Sequence, residues 1–388
     1  MLSQESFMNR NAICFLLLCL LLYADISVIQ ATTRPTLLWK HTFPNKIVSC
    51  SHINNFTLEN NGQLRFPLNA VNTKEQIVFL STGGTISNSL STTSYEHVCL
   101  SGSGNSFGNL LDGVFTIHDP QKKVQTQINI NAIPYSSEHF ICKISPLGDW
   151  VCIISWFNQR ISFYSGSGLL LASHQREDLK QSSIHFSKNN EWVAIHVPNW
   201  GQGNTSGYVE LFNKNGQKQY TFYHRGCLAN YDLTADGRWL AISDESQCYV
   251  LDQLGKVVFK TILPGISKPA ISDDGKILAV ASKVDHQVSL WNVQQNKQKW
   301  IKRMDGFDKI NSSFTGIDVS GKAHRIVATE RQHWSRKNLN SRLTVWNDLG
   351  EQLWQNNYSN SQVYPNLSDD GKCLMVYGDC DVYLMYWK

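Results

Sequence analysis

The sequence predicts an all-β chain assembled from repeated four-stranded antiparallel units. Three observations carry this. Polar turns rich in Asn, Asp and Gly recur along the chain, as in Asp273-Asp274-Gly275-Lys276. Short apolar runs follow each turn, as in Ile277–Ala281 and Val288–Trp291. Asn, Asp and Gly accept the backbone angles of a tight hairpin, so this punctuation makes each unit a meander. The third observation is a fixed spacing between units.

That spacing is clearest in the third strand of each unit. The segments are Phe115–Asp119, Ile161–Ser165, Val209–Asn213, Cys248–Asp252, Val288–Asn292, Leu343–Asn347 and Val382–Tyr386. Apolar residues take the first, third and fourth places, except that His118 takes the fourth place in the first segment. The fourth places are separated on average by about 44 residues, the period of one four-stranded propeller blade. Second strands begin at Trp150, Trp192, Trp239, Ile277, Arg325 and Cys373, each behind a polar turn. Fourth strands are expected at Val124–Ile130, Leu169–Ser173, Lys218–Tyr223, Val257–Ile262, Gln298–Lys302 and Glu351–Asn356.

The last unit ends after its third strand. Residues 36–43, Thr-Leu-Leu-Trp-Lys-His-Thr-Phe, read like a fourth strand with no unit of their own. Pairing 36–43 with 381–388 would complete the C-terminal blade and close the ring, leaving no free edge at the seam. The weak stretch is Lys46–Ile130, nearly two periods long. One blade with an insertion at Ser81–Ser94 gives seven blades, the expected count; two blades there give eight.

The run Leu278-Ala279-Val280-Ala281-Ser282, then Asp285, then Val288-Ser289-Leu290-Trp291-Asn292 resembles a WD40-type repeat. Asn292 stands where that family usually has Asp, and the Gly-His pair opening many such repeats is absent. The Asp-Gly-Lys turn is also similar to that of the YVTN and quinoprotein-like propellers. The resemblance covers 134–388 well and 45–130 poorly, and implies a WD40/YVTN-like β-propeller.

Composition bounds the function. Of 388 residues, 42% are hydrophobic, enough for a full core. A net charge of +4 over this length gives no basis for nucleic-acid binding. Arg10 precedes an apolar run, Ala12–Ala24, broken by Asp25. That is the length of a signal-peptide core, so 1–31 reads as a signal and 32–388 as one propeller domain, secreted or periplasmic. The alternative is an uncleaved N-terminal anchor; otherwise no membrane span is expected.

Beyond the signal, eight cysteines remain, an even number that favours disulfides in an exported chain. Cys142 and Cys152 flank a turn centred on Leu147, so a symmetric hairpin would set them opposite each other as a bridged pair. No Cys-x-x-Cys, His-Glu-x-x-His, nucleophile elbow or phosphate-binding loop occurs, and no catalytic residue, metal ligand or cofactor is assigned. The Asp-Asp-Gly-Lys stretches lack the spread of oxygen ligands a calcium loop needs and read as hairpin turns.

Three second-to-third-strand loops are expected to be long and to share one face: Ser81–Tyr95, Pro198–Gly207 and Arg331–Ser341. Long loops on a rigid scaffold are where binding usually resides. The second carries Trp200; the third carries Arg331, His333, Trp334, Arg336 and Lys337. Cations beside aromatics suit an acidic or carbohydrate partner. The expected function is a non-catalytic scaffold that binds a protein or glycan through this face. The alternative is a propeller enzyme, lactonase-like or quinoprotein-like, which needs acidic or His side chains from several blades converging in the central channel.

Overall fold

The computed structural model describes residues 34–43, 47–50, 57–58, 64–65, 69–73, 76–80, 86–91, 97–101, 106–111, 113–119, 123–130, 140–177, 179–199, 206–226, 229–263, 265, 267–304, 312–320, 325–333, 339–359, 361–368, 370–378 and 380–387. The 1–31 segment expected to be a signal lies outside these residues. No helix among the described residues is long and apolar enough to cross a membrane.

Of the two counts the sequence leaves open, the described strands realise eight four-stranded antiparallel sheets. Seven are each drawn from one continuous stretch, and the eighth is shared by the two ends of the chain. Blade 1 takes Ile47–Cys50, Asn69–Thr73, Gln76–Leu80 and Ile86–Ser91; blade 2 takes His97–Leu100, Phe107–Leu111, Val114–His118 and Val124–Asn129. The Lys46–Ile130 stretch therefore holds two blades. Blade 3 takes Phe140–Ile144, Trp150–Ser155, Arg160–Ser165 and Leu170–Gln175; blade 4 takes Ser183–Phe186, Trp192–Asn199, Ser206–Asn213 and Lys218–Arg225. Blade 5 takes Asn230–Leu233, Trp239–Ser243, Gln247–Asp252 and Val257–Ile262; blade 6 takes Ser267–Ile271, Ile277–Ser282, Gln287–Asn292 and Lys297–Arg303. Blade 7 takes Ser312–Val319, Ile326–His333, Leu339–Trp346 and Gln352–Tyr358. Blade 8 takes Tyr364–Leu367, Cys373–Tyr377 and Asp381–Tyr386, and Thr36–Thr42 is its outer strand.

The N-terminal strand pairs as the sequence predicts, with Thr36 opposite Tyr386 and Thr42 opposite Asp381. Asp381 ties the junction: Lys40 Nζ lies 3.0 Å from its carboxylate, and Thr42 Oγ1 donates to it at 2.7 Å. Phe43, Met375 and Leu384 share a core cluster with Val78 of blade 1.

Second strands are continuous apolar runs because each is buried on both faces. Every residue of Trp150–Ser155 and Ile277–Ser282 is buried. Cys152, Ile154 and Phe163 of blade 3 pack on Ile184, Val193 and Ile195 of blade 4. Val151 and Ile153 face the other way, onto Phe115 and Ile117 of blade 2. Outer strands alternate instead, as Lys297–Arg303 does between exposed and half-buried positions.

In blades 3 to 8 the opening residue of the first-to-second turn is a Ser or Thr whose hydroxyl caps the turn. Ser145, Ser187, Thr234, Ser272, Ser320 and Ser368 each accept the N–H five residues on, at 2.9–3.2 Å. In the Asp-Asp-Gly-Lys turn Ser272 donates to Asp274 (2.7 Å), so that carboxylate is a turn cap.

The expected Cys142–Cys152 bridge is corrected by the register. Ser145 pairs with Trp150 across the turn, so the loop inside that pair holds four residues, 146–149, rather than the five of a symmetric turn on Leu147, and Gly148 takes a φ of 86°. Lys143 then stands opposite Cys152, and Cys142 opposite Ile153. A one-residue shift sends a side chain to the opposite face. Cys142 packs toward blade 2 and Cys152 toward blade 4, and both are free thiols. Burial raises both thiol pKa values well above the ordinary range.

Candidate interaction face and central channel

Two blades differ from the rest in the length of their middle hairpin. Trp192–Asn199 with Ser206–Asn213 in blade 4, and Ile326–His333 with Leu339–Trp346 in blade 7, are strands of eight residues each. The second strands of blades 5 and 6 have five and six. At roughly 3.3 Å per residue, the extra pairs carry these hairpins about 7–10 Å further. Much of what the sequence suggested as loop is therefore ladder: Asn199 pairs with Ser206, and His333 with Leu339.

The third expected loop does not join a second strand to a third. Ile86–Ser91, inside Ser81–Tyr95, is the outer strand of blade 1 and pairs with Gln76–Leu80. The connection before it therefore runs from a third strand to a fourth, and successive connections of an antiparallel meander alternate between ends. Two long hairpins share the face, not three loops.

Of the candidate residues, Arg331 lies within the blade 7 hairpin, half-buried, and its guanidinium donates to Gln362 Oε1 on the approach to blade 8. His333 ends the second strand there. Trp200, Trp334, Arg336 and Lys337 lie outside the described residues.

A buried glutamate braces each long hairpin, and the sequence reading missed both. Glu210 of blade 4 is 2% exposed; Arg176 reaches it with two nitrogens at 3.0 and 3.1 Å, Lys218 Nζ at 3.2 Å and Thr221 Oγ1 at 3.1 Å. The carboxylate beside Arg176 raises the guanidinium pKa. Glu330 of blade 7 is fully buried; it holds His286 Nδ1 and Arg342 Nη2 at 2.8 Å each, and Ser312 Oγ donates to it at 3.1 Å. A buried carboxylate is tolerable only with its hydrogen bonds filled, and several partners meet that need here. Arg176 follows blade 3 and His286 belongs to blade 6, so each glutamate ties its hairpin to the preceding blade. A charged residue inside an apolar strand was the available signal.

Ser312, His286 and Glu330 have the residue types of a hydrolytic triad but not its geometry. Ser312 Oγ lies 2.9 Å from His286 Nε2 and 3.2 Å from Nδ1. An oxygen that near both ring nitrogens sits off the in-plane lone pair of either, and all three residues are at most 2% exposed.

The blade 4 hairpin also carries a histidine pair. His196 and His224 approach through their Nε2 atoms at 3.1 Å, and His224 Nδ1 lies 3.2 Å from the Arg225 carbonyl. Both of these hydrogen bonds can form with the two rings neutral, His224 Nδ1–H donating to the carbonyl and His196 Nε2–H to His224 Nε2. Burial lowers His196 to about 4 and pulls His224 below its ordinary value. Beside them Tyr223, 74% exposed, packs its ring 5.8 Å from that of Tyr208.

First strands line the central channel. His185, Asp232, Lys268, Asp318 and Asn366, from five successive blades, border a cavity of about 240 Å³. Two of these side chains act as clamps between blades. Asp232 accepts its neighbour Leu233 N–H at 3.0 Å and the Ile271 N–H of blade 6 at 2.8 Å. Asp318 accepts the Val319 N–H at 2.8 Å and the Leu367 N–H of blade 8 at 2.7 Å. Desolvation within the ring pushes Asp232 up to about 7 and Asp318 up to about 6, against these N–H bonds. His185 Nε2 lies 3.9 Å from Asp232. The channel thus has mixed charge, and its carboxylates are held by backbone donors on two blades.

No family model matches the chain, and no curated protein matches it. Solved structures do. The Dos1 propeller is similar over 92% of this chain and 96% of its own, at 13% identity and a TM-score of 0.57. The WD40 domain of SCAP from fission yeast is similar over 91% of this chain and 98% of its own, at 11% identity and a TM-score of 0.58. At these identities the likeness is one of fold. The four-stranded blades, their order along the chain and these two neighbours show that this chain has a β-propeller fold, similar to that of WD40 domains.

Proposed function

We propose that this propeller is an exported, non-catalytic scaffold that binds a protein or glycan on the face bearing its two long hairpins. The observation that carries this reading is the bracing of both hairpins by Glu210 and Glu330. Buried, fully bonded carboxylates hold the hairpins rigid, and a rigid display surface loses less entropy on binding. Tyr208 and Tyr223 supply aromatic surface at the blade 4 hairpin. Trp200, Trp334, Arg336 and Lys337 fall at or beside the hairpin tips in sequence, where cations and aromatics suit acidic or sugar ligands. Export rests on Arg10 and the apolar run behind it.

The alternative is a hydrolase or oxidoreductase site in the channel. The fixed roles of Asp232 and Asp318 as clamps count against it. Both readings are separated by replacing 200–205 and 334–338 with short Gly-Ser turns and screening the protein against glycan arrays and acidic peptides. Binding by the parent that is lost in this variant supports the scaffold reading. Unchanged binding in the variant, or turnover abolished by Asp232→Asn, overturns it. N-terminal sequencing of the mature protein tests export: a start near residue 32 is expected, and an intact Met1 in soluble cytoplasm refutes it.

A further inference from the structure

A cleft of about 470 Å³ opens between blades 6 and 7. Lys302, Arg303 and Met304 form one wall; Arg342, Thr344 and Trp346, alternate residues of the third strand, form the other, with Gln352 and Gln355 beside them. The corresponding place between blades 3 and 4 is filled. There the third strand runs Val209-Glu210-Leu211-Phe212, and Glu210 takes the hydrogen bonds of Arg176, Lys218 and Thr221.

The ladders equate the two places residue by residue. Glu210 is opposite Thr221, and Phe212 opposite Lys218. Thr344 is opposite Gln355, and Trp346 opposite Gln352. Thr344 therefore occupies the position of Glu210, with Gln355 and Gln352 in the places of Thr221 and Lys218. Blade 7 has amides at the places of Lys218 and Thr221 and no carboxylate, and Met304, after blade 6, stands at the place of Arg176.

Two further observations point to a ligand. Thr344 is 1% exposed, and its hydroxyl has no hydrogen-bond partner, which is costly for a buried polar group. Among the described residues neither Lys302 nor Arg303 forms an ion pair. Arg342 gives Nη2 to Glu330 behind the cleft. Against these three cations the lining carries one carboxylate, Glu351, whose Oε2 accepts from Asn347 Nδ2 at 2.7 Å.

We propose that this cleft binds a small organic anion whose carboxylate or phosphate takes the place that Glu210 fills in blade 4. Lys302 and Arg303 supply charge, the Thr344 hydroxyl and the Gln352 and Gln355 amides supply hydrogen bonds, and the remaining volume accommodates a body the size of a monosaccharide. None of the lining residues is among the candidate residues of the two hairpins.

Isothermal titration at constant ionic strength tests this, with glucose 6-phosphate, glucuronate, inorganic phosphate and, as the uncharged control, glucose. At least one sugar anion should bind and glucose should not; comparing glucose 6-phosphate with glucuronate separates phosphate from carboxylate recognition. Lys302→Ala with Arg303→Ala should weaken binding at least tenfold. Thr344→Val should weaken it and Thr344→Ser restore it. Thr344→Glu, which supplies the missing carboxylate, should abolish binding while raising the melting temperature of the ligand-free protein. Absence of binding by all three anions, equal binding of glucose, or undiminished binding by Thr344→Glu would overturn the proposal. Melting of each unliganded variant distinguishes a lost site from a lost fold.

Discussion

The indole of Trp239 in blade 5 lies against the turn glycine of blade 6: a β-carbon built on Gly275 would stand 2.2 Å from Trp239 Cδ1. The contact recurs around the ring. Trp192 sits on Gly237 in the same way, and Trp150 Nε1 donates to the Asn190 carbonyl at 3.0 Å. At the join to blade 8, Arg325 takes this role, donating to the Gly371 carbonyl with its guanidinium 4.7 Å from the Trp387 ring. The turn of one blade thus seats the first residue of the preceding blade's second strand.

Gly275→Ala should therefore be far more damaging than its size suggests. Gly275 has a φ of 70°, which costs an alanine about 1 kcal/mol, and the overlap with Trp239 adds about 1–3 kcal/mol. Urea denaturation should show a loss of about 2–4 kcal/mol. Adding Trp239→Ala should give a double mutant more stable than the two losses combined. Additive losses would show that the seat is not where the energy lies.

Deleting 32–44 removes the outer strand of blade 8, the Lys40 and Thr42 bonds to Asp381, and buried Phe43. Stability should fall by several kcal/mol, on the order of two or three buried apolar side chains, and the exposed edge should promote self-association. A truncated chain that melts with the parent and stays monomeric would show that the N-terminal strand closes nothing.

Acid should weaken the blade 4 hairpin. An unfolded histidine takes up a proton as pH falls below about 6.5, whereas buried His196 resists until about 4. The unfolded state then binds more protons between these values, so His196 stabilises the fold fully above pH 6.5 and this is lost progressively as pH falls to 4. Asp232 and Asp318, raised in the fold, act with the opposite sign, gaining stability as pH falls from about 7. Comparing the parent with His196→Gln removes the carboxylate part. The advantage of the parent at pH 7.5 should shrink at pH 5 by about 2 kcal/mol. A pH-independent difference would exclude the neutral pair.

Cys142 and Cys152 should both be found as thiols even after oxidative expression. Peptide mapping without reductant should recover each alkylated after denaturation and protected before it, because both are buried. A peptide linking 142 to 152 would overturn the hairpin register.

The repeat was legible because its causes are local. Turn residues, apolar runs and their spacing reveal the strands, and even Thr36–Thr42 could be paired with the far end by its likeness to an outer strand. The capping hydroxyls, from Ser145 to Ser368, went unread, although a Ser or Thr stands just before each of those turns. The expected binding face was half legible: the hairpins of blades 4 and 7 stood out by length, but ladder could not be told from loop, and Ser81–Tyr95 was read as a second-to-third loop although it holds an outer strand.

Tertiary structure decided what depends on parity and on stacking. One residue in the turn at 146–149 settles whether Cys142 faces Cys152, and no composition reports it. His286, Ser312, Glu330 and Arg342 span more than a blade and meet only when two sheets stack; His196 meets His224 only across a folded sheet. The empty counterpart of the Glu210 site became visible only through the ladders that equate Glu210 with Thr344. Local sequence determines which strands form and in what order, since backbone and turn preferences act between neighbours. The side-chain chemistry between blades is set by register and packing, where a single added or missing residue exchanges one face for the other.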